Sequence, residues 1–358
     1  MLDVSSSQVS VLVVDDSATV RAVLRRRLEE HPSLTVIGQA ADGIEAVEQV
    51  KKLKPDVVTL DVEMPRLDGL GALERIMKEH PTPVVMVSTV TSKGADATIR
   101  ALELGAVDFI EKPGIREIRE SEDMISLGAK VLAAAQARMR APSQVRPARH
   151  APPSAARLAS ISGRWDRRLI VIGSSTGGPQ AVRDVLVALP ADIGVPLVVV
   201  QHMPPGFTLS FARRLDELAA LHVVEASEGL SLIPGMVAIA PGGWHTTISS
   251  RGHAALDERP ADHGVRPAIN LTMESIGEWS GSQITAVILT GMGSDGTRGV
   301  ELLRERGAHI IAEHESTSVV YGMPKSVVDA GLAHEVLPID QIAGAIASQC
   351  RTVAARSA

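Results

Sequence analysis

A chain of 358 residues is long enough for two domains of about 100–200 residues each, and its 36 Lys and Arg against 42 Asp and Glu leave a net charge of −6. That balance argues against a nucleic-acid binder held by a broad positive field, and an aromatic content of 2% leaves few rings on which single-stranded nucleic acid could stack. The single cysteine, Cys350, excludes a disulfide framework and a multi-cysteine zinc site.

Apolar residues make up 45%, so both domains can bury real cores, built from Val, Leu, Ile and Ala. Met1–Ser10 carries no basic n-region, and no stretch reaches the ~18 consecutive apolar residues of a membrane span. We therefore expect a soluble, cytoplasmic protein with no signal peptide and no membrane insertion.

Residues 9–113 alternate between strand and helix patterns. Val9–Val14, Thr35–Ala40, Val57–Asp61, Val84–Ser88 and Ala106–Ile110 are β-branched and nearly all apolar, as strands buried on both faces should be. Amphipathic helices run between them; Val20, Leu24 and Leu28 recur at a spacing of four. The pattern predicts a doubly wound five-stranded parallel sheet, of order 3-2-1-4-5 or 2-1-3-4-5, with function at the carboxyl ends of its strands. A closing helix is expected over Arg116–Arg140, giving a first domain over residues 1–140.

Residues 141–166 lack an apolar face and include Pro142, Pro147, Pro152 and Pro153, which predicts a semi-stiff linker. A second doubly wound α/β domain is expected over 167–358. Its strand candidates are Leu169–Gly173, Leu197–Gln201, Val237–Ala240, Ile284–Leu289 and His309–Ala312. Helices are expected near Gln180–Leu189, Leu209–Ala220, Ala268–Trp279, Thr297–Arg306 and Ile339–Arg351.

In the first domain, Asp15 and Asp16 follow strand 1 and Asp61 ends strand 3. Side by side, those ends bring three carboxylates together, and an all-oxygen cluster suits Mg²⁺ or Mn²⁺. Lys112 after strand 5 can supply a cation, and Ser88 at the end of strand 4 a hydroxyl. A lone Asp after a strand is usually a helix N-cap; acids, hydroxyl and lysine at four strand ends ask for another reading.

The runs Val13-Val14-Asp15-Asp16-Ser17, Leu60-Asp61-Val62-Glu63-Met64-Pro65-Arg66-Leu67-Asp68-Gly69 and Glu111-Lys112-Pro113 resemble a response-regulator receiver domain over roughly residues 9–130. The resemblance implies that Asp61 accepts a phosphoryl group from a histidine kinase. It implies Mg²⁺ held by Asp15, Asp16, Asp61 and the backbone carbonyl of Glu63, with Lys112 and Ser88 sensing the phosphoryl oxygens. Phe109 stands at the switch-aromatic position, where it could equally be plain core.

In the second domain an apolar strand enters the tight turn Gly173-Ser174-Ser175-Thr176-Gly177-Gly178. The Gly173-x-Ser175-x-Gly177 spacing is that of a nucleophile elbow, with helix N-terminal amides in place to stabilise an oxyanion. A phosphate-cradling turn is the competing reading, weakened by the absence of G-x-G-x-x-G and of a P-loop lysine. His202, after the strand ending at Gln201, emerges on the same edge, and Asp295 sits in a Gly-rich loop after the fourth strand. The order Ser, His, Asp differs from the Ser, Asp, His of an α/β-hydrolase, in which His309, His314 or His334 would be the base. Spacing alone leaves both open.

The segments Gly173–Gly178, Gln201-His202-Met203-Pro204-Pro205-Gly206-Phe207, Leu289–Gly296 and Tyr321-Gly322-Met323-Pro324 resemble the catalytic domain of the CheB family of chemotaxis methylesterases over 168 to about 350. The resemblance implies a receiver-regulated protein-glutamate methylesterase that is also a glutamine deamidase. It makes Ser175 the nucleophile, His202 the base and Asp295 its orienter, with the amides of Thr176 and Met292 as oxyanion donors. No cofactor is implied for the ester chemistry. The partners implied are a methyl-accepting chemoreceptor and a CheA-type histidine kinase, with no nucleic acid. A paralogue serving a non-chemotaxis two-component pathway would carry the same motifs. Asn270 departs from the family pattern, where an acid is common, which bears on the substrate groove. We further expect the unphosphorylated receiver to cover the Ser175 groove and phosphorylation to relieve it. The competing non-enzymatic readings are a receiver fused to an inactive scaffold, or a transcription factor, for which no helix-turn-helix pattern or basic face follows the linker.

Overall fold

The structure, a computed structural model, describes residues 8–89, 91–112, 123–137, 167–276 and 284–357. The Pro-rich stretch 141–166 lies outside them, as do 116–122 and 138–140 at the two ends of the expected closing helix. The chain divides into two compact units, 1–142 and 143–358.

The first unit alternates β1 (Val9–Val14), α1 (Ala18–Glu29), β2 (Leu34–Ala40), α2 (Gly43–Leu53), β3 (Val57–Asp61), α3 (Gly69–Glu79), β4 (Val84–Ser88), α4 (Ser92–Glu103), β5 (Asp108–Glu111) and α5 (Asp123–Ala135). Its five strands are all parallel in the order β2-β1-β3-β4-β5, the second of the two orders expected. Val11–Val14 and Val84–Val87 are fully buried, since helices cover both faces of the sheet. Helix starts are set by short polar caps. Ser17, Asp42, Asp68 and Thr91 each accept a backbone N–H of the first turn of α1, α2, α3 and α4. Asp42 and Asp68 are thus ordinary cap acids.

The second unit holds a seven-stranded parallel sheet. Its strands are β6 (Leu169–Ser174), β7 (Leu197–Gln201), β8 (His222–Glu225), β9 (Met236–Ile239), β12 (Ile284–Ile288), β13 (His309–Glu313) and β14 (Glu335–Leu337), in the order β14-β13-β12-β6-β7-β9-β8. An antiparallel hairpin of β10 (His245–Ile248) and β11 (Ala254–Asp257) stands apart from it. The helices are α6 (Gly178–Ala188), α7 (Phe207–Leu218), α8 (Ile269–Ser275), α9 (Thr297–Glu305), α10 (Met323–Asp329) and α11 (Ile339–Ser357).

All five expected strands of this unit are present, but β8, β14, the hairpin and α10 escape the sequence reading. The edge strands β8 and β14 are short and largely half-buried, so they lack the continuous apolar run of a central strand. The hairpin is rich in threonine, and α10 spans only two turns. The helix expected over Ala268–Trp279 closes at Ser275.

The order in which successive strands are laid down reverses at one place in each parallel sheet. In the first unit β1 lies between β2 and β3; in the second β6 lies between β12 and β7. Crevices at the carboxyl ends of strands open at such switch points. Asp15, Asp16 and Asp61 stand at the first, and Ser175 at the second, flanked by the loops that follow β7 and β12.

Candidate functional sites

At the first switch point the carboxylates of Asp15, Asp16 and Asp61 each place an oxygen within 4.8 Å of the others. Asp15 and Asp61 are buried and Asp16 is exposed, so the cluster has two walls and an open side. Lys112 Nζ reaches in from the end of β5, 2.9 Å from Asp15 Oδ2 and 2.8 Å from Asp61 Oδ2. The Glu63 N–H donates to Asp61 Oδ1 at 3.3 Å and fixes that carboxylate from the loop after β3. Gly69 packs on the same loop: a Cβ there would lie 2.0 Å from the Asp61 carbonyl oxygen.

Burial, aided by the Asp15 charge, pushes Asp61 up to about 6, against the opposing pull of Lys112 and of the Glu63 amide. The Lys112 ammonium is held above its ordinary value by Asp61 and Asp15, which outweigh its own burial. Three carboxylates forced together form the hard-oxygen donor set that a divalent cation satisfies. The residues present therefore fit Mg²⁺.

A proton bound more tightly in the folded than in the unfolded chain makes stability fall as pH rises through the folded value, here about 6. In metal-free protein, Asp61→Asn is expected to raise the receiver's Tm at pH 7.5, by at most about 3 kcal/mol of stability. The gain should shrink towards pH 5, and added Mg²⁺ should stabilise the parent more than the variant. Equal Tm differences at both pH values would contradict this.

The other expected receiver residues fall less directly on the cluster. Ser88 is buried, and its hydroxyl donates to the carbonyls of Gly94 at 3.2 Å and Thr89 at 3.4 Å, on the α4 side. Phe109 points into the core, with Lys130 Nζ 5.9 Å from its ring centroid and bonded to its carbonyl at 3.2 Å. Lys130, on α5, has no counterpart in the sequence reading.

At the second switch point the two serines separate cleanly. Ser174 is fully buried and its hydroxyl donates to Gln201 Oε1 at 2.7 Å, a structural bond. Ser175 is half-buried, one residue further round the turn, and among the described residues its hydroxyl has no hydrogen-bond partner. Gly177 takes a positive φ of 75° to turn the chain into α6, and a Cβ on it would meet Val319 at 2.5 Å. A Cβ on Gly291 would come 2.7 Å from Ser175 Cβ, so the loop after β12 runs directly against the turn.

Gln201 ties the neighbouring strand ends together. Its amide donates to the carbonyls of Ser175 at 2.9 Å and His202 at 3.1 Å, and the His202 N–H donates to Ser174 O at 3.1 Å. His202 Nε2 lies 2.8 Å from Asp295 Oδ2. An ionised carboxylate only accepts, so Nε2 carries the proton and Nδ1 is left with the lone pair. Asp295 is buried and also accepts the N–H groups of Ile269 at 2.7 Å and Asn270 at 3.0 Å. Burial alone would raise its pKa; the hydrogen bond and charge of His202, with those two amides, outweigh burial and hold it below the usual carboxylate range.

Ser175 and His202 thus stand at adjacent paired strand ends, and His202 and Asp295 are joined. The Ser175–His202 hydrogen bond is not formed in this structure, as is common before substrate binds. Thr176 is buried, while Met292 exposes its side chain, and its backbone N–H has no hydrogen-bond partner among the described residues. The alternative bases lie elsewhere: His309 pairs with Glu335 at 2.7 Å and stacks on His334, and His314 bonds Ser316 at 2.8 Å.

Asn270, where the family pattern has an acid, is buried, and its Oδ1 accepts the N–H groups of Gly296 and Gly299, both at 3.0 Å. It caps α9, whose own N-cap Gly296 offers no side chain, and braces the loop that carries Asp295. Gln201 and Glu313, both closing buried apolar strands, were missed. The signal that exposed Asp61, a polar residue ending such a run, was present for both.

Comparison with known proteins bears on these sites. Residues 170–346 match the CheB methylesterase family and residues 11–121 the response regulator receiver domain. The chain is 49% identical over 355 residues to the protein-glutamate methylesterase/protein-glutamine glutaminase of Symbiobacterium thermophilum, covering 97% of this chain and 98% of that one. The chain belongs to the CheB methylesterase family. A second relative, protein-glutamate methylesterase/protein-glutamine glutaminase 2 of Pseudomonas aeruginosa, is 44% identical over 95% of this chain and 97% of its own. The crystal structure of the Thermotoga maritima CheB methylesterase catalytic domain is 44% identical over 51% of this chain and 97% of that chain, with a TM-score of 0.49. Both CheB halves, receiver and methylesterase, are present in one chain in the order the sequence suggests. Among the described residues no helix is long and apolar enough to cross a membrane.

Proposed function

We propose that this CheB family member hydrolyses glutamate methyl esters on a methyl-accepting chemoreceptor, releasing methanol, and deamidates receptor glutamines, in chemotaxis adaptation. The observation that carries the reading is the 2.8 Å bond between His202 Nε2 and Asp295 beside the Ser175 turn. Ser175 Oγ attacks the side-chain carbonyl while His202 Nδ1 takes its proton. The tetrahedral oxyanion is received by the Met292 and Thr176 amides. His202 then hands the proton to the departing methoxide, giving methanol and an acyl-serine. Water, deprotonated by the same imidazole, hydrolyses the acyl group and frees Ser175. Glutamine follows the same course with loss of ammonia, more slowly because an amide has the poorer leaving group. Asp295 stays ionised and keeps Nδ1 as the basic nitrogen.

In the receiver, Asp61 accepts a phosphoryl group from a CheA-type histidine kinase, and Lys112 pairs with the product. Asp15, Asp16, Asp61 and the Glu63 carbonyl would hold Mg²⁺, which neutralises charge on the incoming phosphoryl group when bound. Phosphorylation of Asp61 raises the esterase rate, and the protein works in the cytoplasm.

The test is methanol release from methylated chemoreceptor, with and without acetyl phosphate and Mg²⁺. Release that rises with the phosphodonor is the expected result; no release under either condition refutes the esterase reading. Release that ignores the phosphodonor refutes the gating alone.

A further inference from the structure

We propose that Glu313 is a positioning residue for the oxyanion hole, acting through Thr290 on the segment that carries the Met292 amide; this rests on the esterase reading of Ser175. Glu313 closes β13 and is fully buried, with no part in the proton transfers above. Its Oε2 accepts the Thr290 N–H at 2.8 Å, and its Oε1 accepts the Thr317 hydroxyl at 2.9 Å. Thr290 has already left the β12 ladder, so this side chain stands where a neighbouring strand's carbonyl would otherwise be.

Thr290 connects both walls of the hole. Its carbonyl accepts the Ser175 N–H at 3.0 Å, and its hydroxyl donates to Thr176 O at 2.9 Å while accepting the Val320 N–H at 2.9 Å. The next residue is equally committed: the Gly291 N–H donates to Val320 O at 3.0 Å, and its carbonyl accepts from Gly322 at 3.1 Å and Met323 at 2.8 Å. The chain is thereby pinned up to the amide of Met292, which has no partner among the described residues. One carboxylate therefore sets the distance between the nucleophile's strand end and the free donor. Donors aimed at a developing charge work only when held in place beforehand, and a displacement of about 1 Å can cost about 10²-fold in rate.

Glu313 touches neither substrate nor reacting atoms, so its signature is a loss in kcat at constant KM that an acceptor-preserving replacement recovers. Gln offers one acceptor to Thr290, and its amide can donate to Thr317 Oγ1, which already accepts the Ile339 N–H at 3.0 Å. Full-length Glu313→Leu and Glu313→Gln would be compared in methanol release from a helical peptide bearing a glutamate γ-methyl ester, and in labelling of Ser175 by a fluorophosphonate. Glu313→Leu is expected to lose about 30–100-fold in kcat with KM within about twofold, to label more slowly to a similar degree, and Gln to recover most of the loss. Should Leu prevent folding, Glu313→Asp, whose shorter side chain cannot hold the Thr290 N–H and the Thr317 hydroxyl together, should cost about 10-fold in kcat at constant KM.

A kcat within twofold of the parent in the folded Leu variant, or in Glu313→Asp if Leu does not fold, overturns the inference, as does a loss carried by KM. Ser175→Ala run alongside separates the two readings: turnover surviving that change refutes the esterase assignment itself, whereas its loss beside an unchanged Glu313→Leu leaves that assignment standing.

Discussion

Ser175→Ala is expected to lower methanol release by about 10⁴-fold or more, leaving only what oxyanion donors and substrate binding contribute without a nucleophile. The substitution is structurally mild. Ser175 is half-buried, and its hydroxyl supports no hydrogen bond among the described residues, whereas Ser174 beside it holds Gln201 at 2.7 Å. Ser174→Ala should consequently cost stability and Ser175→Ala should not. Fluorophosphonate labelling must vanish in the Ser175 variant and persist, at reduced stability, in the other. Methanol release within tenfold of the parent in Ser175→Ala would remove the serine from the mechanism, and with it the proposed hydrolase.

Asp295→Asn is expected to lower kcat by about 10³–10⁴-fold with the fold retained. The carboxylate accepts from three donors: His202 Nε2 and the Ile269 N–H on Oδ2, and the Asn270 N–H on Oδ1. An asparagine has one acceptor oxygen. Turned towards His202 it leaves its NH₂ facing the Asn270 N–H; turned the other way it puts a donor against Nε2–H and drives the imidazole to the wrong tautomer, with Nδ1 protonated. Either orientation removes a charge that stabilises the imidazolium. Because Ser175, His202 and Asp295 act as a unit, the double variant Ser175→Ala, Asp295→Asn should be no slower than Ser175→Ala alone. An Asp295→Asn enzyme within tenfold of the parent would show that the bonded pair is structural.

The depressed pKa of Asp295 also fixes a pH window. Its folded value lies below its unfolded one, so its contribution to stability is present above the unfolded value of ~4 and is lost as pH falls through the folded one. Asp295 therefore stays charged throughout and above the ordinary carboxylate range.

What the sequence determined by itself is the inventory and its edge. Buried parallel strands must be apolar along their whole length, so polar residues closing such runs stand out: Asp61 after Val57–Leu60, Lys112 past Ile110, and His202 past the run that ends at Gln201. Gly-rich turns mark where backbones pass closely, which located Ser175 and Asp295. Both domains' sheets and the residues along their functional edges are legible on those grounds. Edge strands β8 and β14 were not, because half-buried strands of three or four residues carry no such signature.

Tertiary structure alone decided who partners whom. Nothing in the spacing chooses among His202, His309, His314 and His334 as base; the strand order does, by bringing the loops after β7 and β12 to either side of β6. The same folding made Asn270 a buried helix cap and gave Glu313 a hold on Thr290. Periodicity reports which side of an element meets apolar surroundings, whereas a hydrogen bond between residues some 23 to 114 positions apart depends on sheet order and register, which local pattern does not encode.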